Sequence, residues 1–152
     1  MMAFDSLNVL DQWPLINIDR FVDDCYAKSI SEINLTGSNT DPMLYKHIDR
    51  LYNYLYETVP NLRFGIRTNG IKILDRVGEW NLFNKASISV TSFDRDIYRA
   101  TMGQGEPPNL EHILSISNSD MDIKVNVVLC PELFQNGDLW NTINQCISYG
   151  IR

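Results

Sequence analysis

The sequence predicts an α/β fold built from parallel βα units, and three observations predict it. Short runs rich in β-branched residues alternate with longer amphipathic segments from about Asn17 to Gly150, at connection lengths that suit right-handed βαβ crossovers. Within each short run, apolar residues alternate with small or polar ones. Each run then passes into a polar turn, which is where α/β sheets place ligands.

Residues 1–14 show no period and read as an irregular lead-in. Asn17 is placed to cap a helix whose Ile18, Phe21, Val22 and Cys25 recur at i, i+3, i+4 and i+7, with Ser29-Ile30 closing it. The strand Ile33–Thr36 follows and enters the turn Gly37-Ser38-Asn39-Thr40-Asp41-Pro42. Asp41 can accept free N–H groups of a first helical turn, and proline fits the first helical position. A helix from about Met43 to Thr58 then carries one stripe of Leu44, Ile48, Leu51, Tyr52 and Leu55, with Pro60 beyond its end.

The strand Leu62–Arg67 leads into Thr68-Asn69-Gly70, where glycine supplies positive φ. A short helix around Lys72–Val77 is broken by Gly78, and Ala86–Val90 is the next strand, followed by Thr91-Ser92-Phe93-Asp94 and a helical turn through Tyr98. Residues 103–108 are loop by composition, and Asn109 caps a helix carrying Leu110, Ile113 and Leu114. Asp122–Leu129 is the most β-branched strand. Pro131 and Asn136-Gly137 mark a loop, after which Asp138 caps a last helix with Leu139, Trp140, Ile143 and Ile147 inside and Gly150 at its end.

Parallel strands covered on both faces read as continuous apolar runs. Here Ile33 and Leu35, Phe64 and Ile66, and Ala86, Ile88 and Val90 each alternate with polar, small or charged neighbours, and Ile123, Val125, Val127 and Leu129 alternate with Lys124, Asn126 and Val128. One sheet face is therefore apolar and helix-covered, and the other polar. A bare face open to water explains that pattern. A curved sheet whose concave face holds a polar ligand explains it too, and accounts better for Ser, Gly and Thr, which leave room.

Composition narrows the classes. At 152 residues and 44% hydrophobic, the chain reads as one ordinary domain or part of a larger one, with enough apolar residues for a real core. No run approaches the ~20 apolar residues that cross a bilayer, and the start lacks the pattern of a secretory signal, so a cytoplasmic location is expected. A net charge of −6 with scattered Lys and Arg argues against a nucleic-acid partner. Cys25, Cys130 and Cys146 are isolated and fit no zinc or iron–sulfur spacing. No hydrolase nucleophile motif, P-loop or dinucleotide fingerprint is present.

The turns, taken together, resemble a family. Leu35-Thr36-Gly37 followed by Asp41-Pro42 is similar to the Thr-Gly-Gly-(Gly)-Glu-Pro motif that ends the second strand of radical S-adenosylmethionine enzymes, with Asp in place of Glu. Thr68-Asn69-Gly70 resembles the end of that family's third strand. Ile88–Asp94 with Tyr98 resembles its fourth, and Val125-Asn126-Val127-Val128 its fifth. The resemblance implies part of an open (β/α)6 partial TIM-type barrel, one incomplete domain over residues 1–152. It also implies S-adenosylmethionine as cofactor, held by Thr36, Gly37, Ser38, Asn39, Asp41, Thr68, Asn69, Ser89, Thr91, Ser92 and Asn126.

The family's Cys-x-x-x-Cys-x-x-Cys loop has no counterpart in this chain. A [4Fe-4S] cluster is therefore expected only if sequence outside the chain supplies its ligands.

Each residue also has a plainer reading. Asp41 can be a helix cap, a role compatible with binding an amine. Ser89, Thr91 and Ser92 can be small residues tolerated at a strand end, and Asn126 can satisfy a neighbouring turn. Arg67 and Lys124 on the polar face can bind a carboxylate or simply be solvated, while His47 and His112 read as surface residues. Three functions stay open: an S-adenosylmethionine cradle of an iron–sulfur radical enzyme, a non-catalytic α/β module binding a nucleoside or amino-acid ligand, and a subunit completed by missing segments or a partner chain.

Overall fold

The computed structural model describes residues 9–37, 40–103, 105–135 and 137–151. Strands β1 (Glu32–Leu35), β2 (Arg63–Thr68), β3 (Lys85–Val90) and β4 (Asp122–Val127) form one four-stranded sheet in the order β1-β2-β3-β4. All three neighbouring pairs are parallel. Helix α1 (Ile18–Ala27) precedes β1, and α2 (Ile48–Thr58), α3 (Val77–Trp80), α4 (Arg95–Met102) and α5 (Leu110–Ile116) lie in the crossovers. Helices α6 (Pro131–Gln135) and α7 (Asp138–Ser148) follow β4.

A sheet whose strands follow chain order with crossovers of one hand carries its helices on one face. The burial matches that arrangement. Phe64, Ile66, Ala86, Ile88 and Val90 are buried with Leu51, Leu55 and Trp80 in one core, while Asn34, Arg67, Lys124 and Asn126 on the opposite face are exposed. Phe64 stacks on Phe83 at 4.8 Å between ring centroids. No helix among the described residues is long and apolar enough to cross a membrane.

Several elements depart from the sequence reading. The helix expected over 43–58 is split: a 3₁₀ turn spans Pro42–Leu44, Tyr45 is extended, and α2 begins only at Ile48. The carbonyls of Met43 and Tyr45, which a continuous helix would use internally, each accept from Arg76 Nη1 at 2.6 Å. The Tyr45 hydroxyl donates to the Gln12 carbonyl, and Lys46 N to that of Leu10. Tertiary donors and acceptors thus outbid the local helix. His47 becomes the residue flanking α2 and is half-buried against the Tyr45 ring.

Asn17 takes a left-handed conformation and gives no side-chain cap, and Phe21 turns partly outward. Gly78 sits inside α3 instead of breaking a helix before it. The loop expected after β4 contains α6, started by Pro131. Asn109 does cap α5, accepting from His112 N at 3.0 Å.

The largest correction concerns α7. Gly137, not Asp138, flanks its start, and the buried positions are Asp138, Thr142 and Cys146. Trp140 and Ile147, expected inside, are 68% and 64% exposed. Asp138 receives the hydroxyls of Ser92 and Thr142 in the interior, and this pairing sets the rotation of the helix.

Candidate functional site

Two regions of the predicted site are built differently. At the tips of β1 and β2, the Asp41 carboxylate is the centre of a polar knot. It accepts from Met43 N at 2.9 Å, from the Thr68 hydroxyl at 2.8 and 2.9 Å, and from Asn69 N at 2.6 Å. The Thr68 hydroxyl in turn accepts from Gly70 N, and Asn69 Oδ1 accepts from Ile71 N. Three donors on a carboxylate with about four lone-pair sites leave roughly one position for a further donor such as an amine.

Glycines make the knot close. A side chain on Gly37 would strike the Thr40 carbonyl, and one on Gly70, at φ +82°, would meet Pro108 at 2.9 Å. Ser38 and Asn39, the remaining predicted residues of that turn, lie outside the described residues.

At the tip of β3 the predicted residues are turned inward and engaged. The Thr91 hydroxyl lies 2.6 Å from that of Thr101 on α4. Buried Ser92 donates to Asp138 and accepts from Asp94 N. These hydroxyls fasten α4 and α7 to the sheet. Tyr98, the tyrosine of the fourth motif, is fully buried with its hydroxyl unpaired among the described residues. Burial pushes its pKa above the ordinary tyrosine value, and the Asp41 charge pushes it the same way.

The bare face of the sheet carries the second region. Asn34, Thr36, Arg67, Lys85, Ser87, Asp122, Lys124 and Asn126 line an open groove of about 410 Å³. Parallel pairing puts Arg67 beside Ser87, and Ser87 beside Lys124, while Ser89 pairs with Asn126. Asn126 Nδ2 donates to the Ser87 hydroxyl at 2.6 Å. The Lys85 ammonium reaches across to Glu32, passing over Gly65, where any side chain would collide with the lysine stem and with Asn34. The hydrogen bond from Lys85, and after it the charge of the same lysine, hold the Glu32 carboxyl below its usual range.

Lys124 is 3.6 Å from Asp122. The Arg67 side chain forms no hydrogen bond or ion pair with any described residue.

The structure therefore joins Asp41, Thr68 and Asn69 at one knot and puts Thr36 and Asn126 on the groove, with Ser89 beside Asn126 in register. Thr91 and Ser92 go to separate interior contacts. Sequence reasoning missed Asp138, Thr142 and Thr101 as partners of these hydroxyls. The i, i+4 spacing of Asp138 and Thr142 was a legible signal of one polar helix face.

The residues present do not fit an iron–sulfur cluster. Among the described residues no three Cys, His, Asp or Glu side chains come together, and Cys25 and Cys146 are buried as ordinary core thiols. Comparison with known protein families and with curated proteins returns no match.

Proposed function

We propose that this chain is an α/β binding module that takes a small polar ligand, nucleoside- or amino-acid-like, on the bare face of its sheet. The observation that carries this reading is the groove in which the Arg67 guanidinium, without a partner among the described residues, stands between the amides and hydroxyls of Asn34, Thr36, Ser87 and Asn126. Its volume, about 410 Å³, lies within the ~300–1,000 Å³ of small-molecule sites. A guanidinium binds a carboxylate through two parallel hydrogen bonds, and amides and hydroxyls suit a purine edge or a ribose.

S-adenosylmethionine unites a carboxylate with a nucleoside and is the ligand to test first. In the same reading the four strands are consecutive staves of an open partial barrel, with the bare face inside. The strand order that follows the chain supports this, since twist accumulates in one sense across neighbouring strands.

Calorimetric titration with S-adenosylmethionine, methionine and adenosine tests the proposal. Binding by at least one of them, weakened tenfold or more by Arg67→Ala, is the expected result. Equal affinity in Arg67→Ala, or no heat from any of the three at millimolar concentration, would sink it.

A further inference from the structure

Among the described residues both edges of the sheet, β1 and β4, are unpaired. In a strand the N–H and C=O of one residue point to the same side, alternating along the chain. Ser31 O accepts from Arg63 N, so the odd residues of β1 face β2 and the backbone groups of Glu32 and Asn34 point outward. At the far edge Asp122 N and Val128 N donate to the carbonyls of Asn84 and Val90. The backbone groups of Ile123, Val125 and Val127 therefore point away from β3. Among the described residues nothing of this chain pairs with either edge.

The helices that precede β1 and follow β4 expose apolar side chains. Beside β4, the exposed large hydrophobics are Val128, Leu129, Phe134, Trp140 and Ile147. Trp140 and Ile147 form a second apolar stripe on α7, opposite its buried face. Helix α1, which precedes β1, adjoins α2, with the Tyr54 hydroxyl donating to Asp19, and exposes Phe21 and Tyr26.

We propose that the occupant of each edge is a second copy of this chain. β4 of each copy pairs in parallel with β1 of the other around a two-fold axis along the strands. Twice four strands then close an eight-stranded barrel with the bare faces inward and the helices outward. The inference rests on the curved-sheet part of the reading above and not on its ligand.

Two observations favour a copy of the same chain. Each copy carries both kinds of edge, and the strands all run one way, so pairing β4 with β1 needs no reversal. The five side chains beside β4 expose on the order of 600 Å², taking ~150–250 Å² for a large side chain. A standard interface buries about 800 Å² per partner, and the ring covers two edges on each copy.

Light scattering coupled to gel filtration between ~1 and ~100 µM tests this. The expected mass is twice the 17.5 kDa of the chain. Because every contact uses one edge of each kind, Trp140→Glu at the β4 side and Asn34→Pro at the β1 side should each alone give a monomer, with the helical circular dichroism retained. A wild-type monomer throughout the range overturns the ring, and so does a dimer broken by Trp140→Glu but not by Asn34→Pro, which marks β4-to-β4 pairing. Should the proline variant fail to fold, amide hydrogen exchange of the wild type decides. Slowing at both Asn34 and Val125 with rising concentration supports the ring; slowing at Val125 alone refutes it. A monomer that still binds the ligands titrated above refutes the ring and leaves the groove reading intact, whereas a dimer that binds none does the reverse.

Discussion

The Thr68 hydroxyl donates to the Asp41 carboxylate at 2.8 and 2.9 Å, joining the tip of β2 to the turn that follows β1. These residues are 27 apart in the chain. Asp41 does locally what a residue before a helical turn does, accepting from Met43 N, and it also ties two strand tips together through Thr68 and Asn69 N.

Replacing Asp41 by Ala should therefore cost more than a lost cap. A cap alone is worth ~1 kcal/mol, and hydrogen bonds to a charged acceptor ~1.5–3 kcal/mol each without being additive. We expect a loss of about 2–4 kcal/mol for Asp41→Ala and about half that for Asp41→Asn, read from urea midpoints. A loss no larger than a cap would mean that the contacts to Thr68 and Asn69 add nothing.

Ser92→Ala leaves the buried Asp138 carboxylate with the Thr142 hydroxyl and without its Ser92 donor. Removing a partner from a buried charge is costly because the charge stays desolvated. The expected destabilisation is about 2–4 kcal/mol, accompanied by faster amide exchange along α7. Asp138→Asn/Ser92→Ala should lose less than the sum of the two single changes, as groups in one network do.

Tyr98 supplies a test in alkali. Its hydroxyl is buried and unpaired among the described residues, and its folded pKa is raised by burial and by Asp41. Between the ordinary tyrosine value of about 10 and the higher folded value, the unfolded chain has released the proton while the folded one keeps it. Stability therefore falls as pH rises through that window. Tyr98→Phe should be neutral or up to ~1 kcal/mol more stable at neutral pH, since an unsatisfied buried hydroxyl is removed. Its stability should also decline less steeply above pH 10. Tyr45, raised by burial, and Tyr54, raised by its hydrogen bond to Asp19, contribute to the slope that remains. Urea midpoints at pH 7 and in a series above pH 10 check both parts.

Much of the fold was legible from residue order. The alternation in Phe64–Ile66, Ala86–Val90 and Ile123–Val127 predicted strands with one covered face, and those residues form the apolar side of the sheet. Such patterns are local: consecutive side chains of a strand must point to opposite faces. The Asn109 cap was legible for the same reason, since donor and acceptor lie three residues apart.

The candidate site was legible only as residue types at strand ends. Thr36, Asn126 and Asp41 were named, but nothing in their spacing shows that Asp41 turns to Thr68 while Thr36 and Asn126 border the groove. Arg67 was visible as a cation on the polar face; that no described residue pairs with its side chain was not.

By itself the sequence determined the strands, their polar and apolar sides, and the turns that stop them, because these follow from neighbouring residues. Only the tertiary structure decided which way α7 faces and where α2 begins. Helix α7 carries apolar residues on two sides, so periodicity cannot choose between them. Ser92, 46 residues away from Asp138, makes the choice by a buried hydrogen bond. Arg76 likewise takes the carbonyls of Met43 and Tyr45 out of the helix that their sequence favours, since a buried polar group goes to whichever partner the packing brings within reach.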